Sequence, residues 1–164
     1  MIILEGCDCT GKTTLAEKLS AEYEVPITHY SKHDNDVMMT HALQCEPGTG
    51  EISDRFHMSE IPYSMYFRHE VPQYDSVQEI DLILRDRKCL QIICIPPWLN
   101  VKQYWEDRKE EEIIKNLETL HSIFMWYRDK SQAFSSLQVW QYNYILTPFE
   151  SLCEKINEWS RLND

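Results

Sequence analysis

Glycine is scarce in this chain: four among 164 residues, and two of them, Gly6 and Gly11, fall within one six-residue stretch. Such scarcity excludes collagen-like and glycine-rich low-complexity polymers, and it marks that stretch as a place where the backbone has a special task. Long apolar runs are also missing. The longest, Ile92 to Leu99, is far too short to span a bilayer. No basic region followed by an extended apolar segment opens the chain, so a cytoplasmic location is expected. Basic residues are outnumbered, with 16 Lys and Arg against 27 Asp and Glu and a formal net charge of −11. A field of that sign repels polyanions, which favours a small-molecule partner over a long nucleic acid and gives no reason to expect a membrane surface. The six cysteines, at 7, 9, 45, 89, 94 and 153, contain no C-x-x-C pair. Reduced thiols are expected rather than a structural zinc site, with Cys89 and Cys94 packing as small hydrophobes.

What is present alternates. Met1 to Glu5 reads as a strand, followed by a glycine loop and a helix from about Lys12 to Tyr23 that gathers Leu15, Ala16 and Leu19 on one face. A short strand over Ile27 to Tyr30 precedes a helix from Asp34 to Leu43 with Asp34 as N-cap, and a turn over residues 46–50. A weak strand, Glu51 to Ser53, leads into Asp54-Arg55, and helical stretches cover Ser59 to Phe67 and Val77 to Arg87. Residues Cys89 to Ile95 read as a buried strand stopped by Pro96-Pro97. The longest helix is expected from Glu110 to Tyr127, with Ile113, Leu117, Leu120, Phe124 and Tyr127 as its core stripe. A strand near Leu137 to Leu146 and a helix from Phe149 to Leu162 close the chain. This order implies an α/β fold of three layers, a parallel sheet covered by helices on both faces, in one domain over residues 1–164.

The glycine stretch carries the chemistry. Gly6-Cys7-Asp8-Cys9-Thr10-Gly11-Lys12-Thr13 satisfies G-x-x-x-x-G-K-[ST] at every fixed position, between an expected strand and an expected helix. In such a P-loop the backbone N–H groups turn inward around phosphate oxygens and the helix N-terminus adds a favourable dipole. The lysine reaches the β and γ phosphates, and the hydroxyl of Thr13 is offered to Mg²⁺. ATP binding is therefore expected over residues 6–14, Thr14 included. The loop leaves open whether the γ-phosphate goes to water or to an acceptor. Asp8 is unusual among phosphate-binding amides; it bonds a substrate hydroxyl or caps the turn that follows.

Together, residues 4–14 and the later Asp54-Arg55-Phe56-His57-Met58-Ser59 resemble the thymidylate kinase family, which pairs an E-G-x-D-x-x-G-K-[ST]-[ST] loop with a downstream D-R-[aromatic or His]-x-x-S element. The resemblance spans about the first 70 residues. It implies a P-loop kinase fold and Mg²⁺-dependent transfer of a γ-phosphoryl group from ATP to a deoxynucleoside monophosphate. It also implies that Asp8 contacts the acceptor sugar, that Asp54 stands by Mg²⁺ or its waters, that Arg55 holds the acceptor phosphate, and that a homodimer can form. Ser59 belongs to the same element. Tyr63, Tyr66 and Arg68 follow closely enough to stack on and hydrogen-bond a base. Cys9 stands where the family carries Gly or a catalytic Arg, so a charge-neutralising cation must come from elsewhere. Arg108 is the candidate, with Lys109 and Arg128 behind it, in a lid between Pro97 and the long helix.

Residues Asp107-Arg108-Lys109-Glu110-Glu111, with the helix after them, are similar to the lid of deoxynucleoside kinases. That similarity keeps a nucleoside acceptor, or a modified pyrimidine in DNA, open as an alternative. Such enzymes need a carboxylate base after the second strand, and residues 27–32 supply none, whereas an anionic phosphate acceptor needs no such base. A nucleotide-gated module that hydrolyses ATP slowly is the alternative of another class.

Overall fold

The computed structural model describes residues 1–30, 35–46 and 48–163. Among these residues five strands form one parallel sheet: β1 (Ile2–Glu5), β2 (Ile27–His29), β3 (Ile52–Asp54), β4 (Leu90–Cys94) and β5 (Gln138–Tyr142), in the order β2-β3-β1-β4-β5. The α/β architecture expected from the alternating elements is the one observed. Among the described residues seven α-helices accompany the strands: α1 (Lys12–Tyr23), α2 (Asn35–Gln44), α3 (Glu60–Tyr63), α4 (Tyr74–Asp86), α5 (Trp98–Arg108), α6 (Leu117–Phe134) and α7 (Phe149–Asn163).

Because helices cover both faces, β1, β3 and β4 are buried along their whole length, and β1 and β4 read as mainly apolar runs without alternation. Ile2, Leu4, Ile92 and Cys94 pack with Leu15 and Leu19 of α1 and Ile156 and Trp159 of α7. On the opposite face Ile93 packs with Trp105 of α5 and Phe124 and Tyr127 of α6, and Ile3 packs with Met38 of α2 and Ile80 and Leu84 of α4. β1 lies between strands that come later in the chain, so the connections leaving its two sides diverge at its C-terminal end. Open parallel sheets bind ligands at such a switch point.

Several boundaries differ from those the sequence suggests. The long helix starts at Leu117, not Glu110, because Asn116 caps it: the Asn116 side-chain oxygen accepts from the backbone N–H groups of Glu118 at 2.8 Å and Thr119 at 3.3 Å. Ile113 therefore leaves the expected stripe and is 75% exposed, while Leu120, Phe124 and Tyr127 are buried as expected. The segment after Pro97 is itself a helix, α5, anchored by Val101 and Trp105 one turn apart; the Trp105 indole N–H donates to the Ile114 carbonyl at 2.7 Å. The last strand ends at Tyr142, short of Leu146, because Asn143 turns the chain by accepting from the Ile145 N–H at 3.0 Å. The stretch expected as a helix from Ser59 begins two residues earlier as a 3₁₀ turn, His57–Ser59, carries Pro62 inside α3 and ends in a π-helical turn, Ser64–Arg68. The strand before Asp54, polar in composition, is buried because it pairs with β1 on one side and β2 on the other. The expected N-cap Asp34, and Pro47 of the turn at 46–50, lie outside the described residues.

One polar cluster ties the elements on the α2–α6 face together. The buried Asp81 carboxylate of α4 accepts from His57 Nε2 at 2.9 Å, from the Ser135 hydroxyl at 2.7 Å and from the Ser136 N–H at 2.6 Å. Burial pushes this carboxyl up, and the hydrogen bonds from His57, Ser136 and Ser135 outweigh it, so its pKa lies below the ordinary value of 3.8. The stability it contributes is present above that unfolded value and is lost as pH falls through the lower folded one. Asp81→Asn is expected to cost about 2–3 kcal/mol at neutral pH and to flatten the acid limb of a stability–pH curve below about pH 4. Denaturant titrations of both proteins at several pH values check this; superimposable acid limbs would refute it.

Candidate active site

The phosphate loop runs from the end of β1 into α1. Gly6 takes φ 143°, and a Cβ there would lie 2.9 Å from both the Cys94 carbonyl oxygen and the Thr10 hydroxyl, so only glycine fits against β4. Gly11 takes φ 80° as the residue before α1. Thr10 donates its hydroxyl to the Cys7 carbonyl at 2.9 Å and cross-braces the loop. Lys12 Nζ donates to the same carbonyl at 2.6 Å, and the residue is only 5% exposed. Burial first, and then the like charge of Arg55, hold the Lys12 pKa below the ordinary lysine value. Cys9, in the left-handed region at φ 63°, has its thiol pushed up to about 12, by burial first and then by the charge of Glu112. Such a shift disfavours the thiolate that a nucleophilic cysteine needs.

Parallel pairing delivers the second half of the site. Asp54, the last residue of β3, lies opposite Leu4 of β1 and His29 of β2, which brings its carboxylate beside the loop. Asp54 Oδ2 accepts from the Thr13 hydroxyl at 2.8 Å and lies 3.2 Å from His29 Nδ1. The chain then turns at Arg55, φ 70°, whose N–H is held by the Leu4 carbonyl at 2.9 Å. Its guanidinium is ion-paired with the Asp8 carboxylate and stacks over the Tyr63 ring, 4.7 Å from the centroid. Asp8 thus finds the partner that a carboxylate among phosphate-binding amides requires, and that partner is Arg55.

Asp8, Lys12, Thr13, Asp54, Arg55, Tyr63, Arg68 and Arg108 all line one cleft of about 900 Å³, together with Cys9, Thr10, Gly11 and Thr14 of the loop. The size is near the upper end of small-molecule sites, with room for more than a lone phosphate. Arg68 is held in place by the Glu60 carboxylate at 2.7 Å and Glu70 at 3.1 Å. Arg108 ends α5 on the rim, 51% exposed, with Nε 3.2 Å from Glu111.

Two residues expected to touch substrate do not face the cleft. Ser59 is 1% exposed, and its hydroxyl donates to Glu5 Oε2 at 2.5 Å and lies 3.0 Å from the Tyr127 hydroxyl. It belongs to the support beneath the loop. Tyr66 faces a separate groove between the π-helical turn and α6, because the wider turn rotates it away from Tyr63. Gly6 and Cys7 shape the loop from below, Cys7 being fully buried.

The sequence places Glu5 at a strand end within the loop motif and Tyr127 on a core stripe, and links neither to the support of the site. Glu5 ends β1 fully buried; its carboxylate also accepts from the Phe56 N–H at 2.9 Å and the Tyr127 hydroxyl at 3.0 Å. It fixes the start of the Asp54-Arg55 turn against the start of the phosphate loop. A charged residue closing an otherwise apolar buried strand was the available signal, since such a group demands partners. His29, Tyr30, Phe67, Tyr142, Tyr144 and Phe149 also line the cleft, and Gly11 sits against Tyr144 closely enough that a Cβ would lie 3.3 Å from its ring. Their contribution depends on long-range topology that no local motif encodes.

The donor set suits a hard, oxygen-seeking cation. The Thr13 hydroxyl and the Asp54 carboxylate are adjacent at the loop, and Mg²⁺ characteristically takes one or two protein oxygens and completes its shell with phosphates and water. Among the described residues no group of three or more His, Cys, Asp or Glu side chains forms a self-sufficient metal cage. None of the helices described is long and apolar enough to cross a membrane.

No family model matches the chain. Its sequence is 37% identical over 73 residues to the SPbeta prophage-derived uncharacterized protein YorR of Bacillus subtilis (strain 168), covering 42% of this chain and 44% of that protein. The chain thus aligns with less than half the length of that curated relative. In three dimensions it is similar to YorR from Bacillus subtilis in complex with phosphorylated GDP, with TM-score 0.77 at 20% identity over 98% of this chain and 95% of that one. It is also similar to deoxyadenosine kinase from M. mycoides with products dCMP and dCDP, with TM-score 0.62 at 16% identity over 96% and 98% of the two chains. The architecture is a P-loop nucleotide-kinase fold.

Proposed function

We propose that this protein is a kinase that transfers the γ-phosphoryl group of ATP, with Mg²⁺, to a deoxynucleoside monophosphate of thymidylate-like character. The observation that carries this reading is a second cation in the phosphate-loop cleft: Arg55, held on Asp8 and stacked on Tyr63, faces the same space as Lys12. An ATP hydrolase needs the loop, whereas a kinase for phosphorylated acceptors also needs a group that captures the acceptor's anion. An arginine suits that task because Asp8 engages part of its five-donor fork and leaves further N–H groups for phosphate oxygens.

In this reading the loop amides and Lys12 hold the β and γ phosphates. Asp54 and Thr13 would hold Mg²⁺, which when bound neutralises phosphate charge. Arg55 orients the acceptor phosphate for in-line attack; Tyr63 and Arg68 wall the acceptor base. The acceptor oxygen is already anionic, so no proton need be removed before transfer. His29 and Tyr30, where β2 leads into the cleft, provide no carboxylate base, which weighs against a nucleoside hydroxyl as acceptor. Arg108, on the rim, supplies the cation that Cys9 does not, by exchanging Glu111 for the transferring phosphoryl group. The structural likeness to deoxyadenosine kinase supports a nucleotide-phosphotransfer reading in general and keeps a nucleoside acceptor as the competing outcome.

Incubation with ATP and Mg²⁺ across a panel of nucleosides, nucleoside monophosphates and DNA tests it. ADP release is expected to depend on an added deoxynucleoside monophosphate, with the diphosphate as second product. Release that requires no acceptor, or that only nucleosides stimulate, would overturn the assignment.

A further inference from the structure

We propose that Cys45 and Cys89 are a disulfide-forming pair, a modification site that staples the end of α2 to the start of β4 and uses a low-molecular-weight disulfide as oxidant. Their Sγ atoms lie 3.6 Å apart within the core cluster that α2 and α4 form against the sheet. Both segments are anchored from the backbone: the Cys45 N–H donates to the His41 carbonyl at 2.9 Å, and the Cys89 N–H to the Leu84 carbonyl at 2.9 Å. The thiols are thus presented to each other by a helix end and a strand start. The two residues are 44 apart in sequence, so a bond between them closes a long loop.

The pair is asymmetric. The hydrogen bond with Cys89 lowers the Cys45 thiol below its ordinary value against burial, and raises that of Cys89. Cys45, at 5% against 2% exposure, is also the more accessible. It is the attacking thiol and Cys89 the resolving one. The other cysteines are poorly suited: Cys7, Cys9 and Cys94 belong to the phosphate-loop region and Cys153 to α7, and burial pushes all four thiols up.

The Cys45 thiolate attacks one sulfur of glutathione disulfide; that S–S bond breaks and one glutathione leaves as thiolate. Cys89 then loses its proton and attacks Cys45 Sγ of the mixed disulfide, expelling the second glutathione. Two protein thiols are oxidised by two electrons, one glutathione disulfide is reduced to two glutathiones, and the protein's protons pass to the departing thiolates. The staple would also secure α2, whose His41 takes the Tyr30 hydroxyl at 2.5 Å and so holds one wall of the cleft. It stands independently of the phosphotransfer reading.

The test is exposure of the fully reduced, native protein to oxidised glutathione, followed by non-reducing peptide mapping and a melting curve. The expected result is a Cys45–Cys89 cross-linked peptide, a mass lower by two hydrogens, and a Tm higher by about 10 °C that dithiothreitol reverses. Cys89→Ser is expected to stop at a glutathione adduct on Cys45, and Cys45→Ser to leave Cys89 unmodified. A persistent adduct on Cys45 in the unaltered chain, a cross-link between any other pair, or six thiols still free would overturn the proposal. The map of the unaltered chain decides this even where a variant fails to fold.

Discussion

Replacing Lys12 with methionine is expected to lower turnover by about a thousandfold or more, roughly 4 kcal/mol of transition-state stabilisation, while the protein remains folded. Lys12 is buried and its ammonium donates to the Cys7 carbonyl, so its charge is kept out of water at a cost. Methionine keeps most of the apolar stem and removes that cost, leaving stability unchanged or slightly improved. The catalytic loss has a different origin: charge that grows on the phosphoryl oxygens meets no ammonium. Steady-state kinetics beside a thermal melt separate the two. Turnover within tenfold of the parent protein in a variant that melts normally would sink the kinase assignment.

How much of this was legible in the sequence depends on the range of the interactions involved. The phosphate loop is local, a strand, a glycine turn and a helix within about 20 residues, and the structure has all three where they were read. The parallel sheet follows from the alternation of elements, and Asp54-Arg55 was found because it forms a short motif. By contrast α5 has a weak local signal because Trp98 to Arg108 is mostly polar and only Val101 and Trp105 of its residues are fully buried. The extension of α6 back to Glu110 failed because periodicity continued through Ile113, whereas the Asn116 cap decides the boundary. Ser59 and Tyr66 carry the right chemistry for a substrate site. Ser59 turns inward to Glu5 and Tyr127, and Tyr66 turns away because a π-helical turn changes the helical phase. Neither effect has a signature in residue type. The partner of Asp8 was equally hidden, since residue 55 reaches it only through the pairing of β1 with β3.

That pairing shapes what Arg55→Ala should do. If Arg55 captures the acceptor phosphate, its loss is expected to raise the acceptor KM about a hundredfold, roughly 2.7 kcal/mol. The same substitution strips the Asp8 carboxylate of its counterion inside a loop built for phosphate, so the single variant is expected to bind ATP more weakly as well, by like-charge repulsion. A defect in both substrates would not by itself identify the role of Arg55. Asp8→Asn combined with Arg55→Ala separates the effects: the amide no longer repels the donor phosphates, while the acceptor still lacks its guanidinium. The double variant is therefore expected to recover most of its ATP affinity and keep the high acceptor KM, a non-additivity that a coupled pair requires. Arg55→Lys adds a further discrimination, because a point charge balances Asp8 and cannot offer the planar two-donor edge; near-normal ATP binding with an intermediate acceptor KM is expected. Initial rates over a grid of both substrate concentrations for the parent protein, Asp8→Asn, Arg55→Ala, the double variant and Arg55→Lys measure all of these. An acceptor KM in the double variant equal to that of the parent protein would mean that Arg55 serves Asp8 alone and that the acceptor phosphate is held elsewhere in the cleft, with Arg68 the next cation to test.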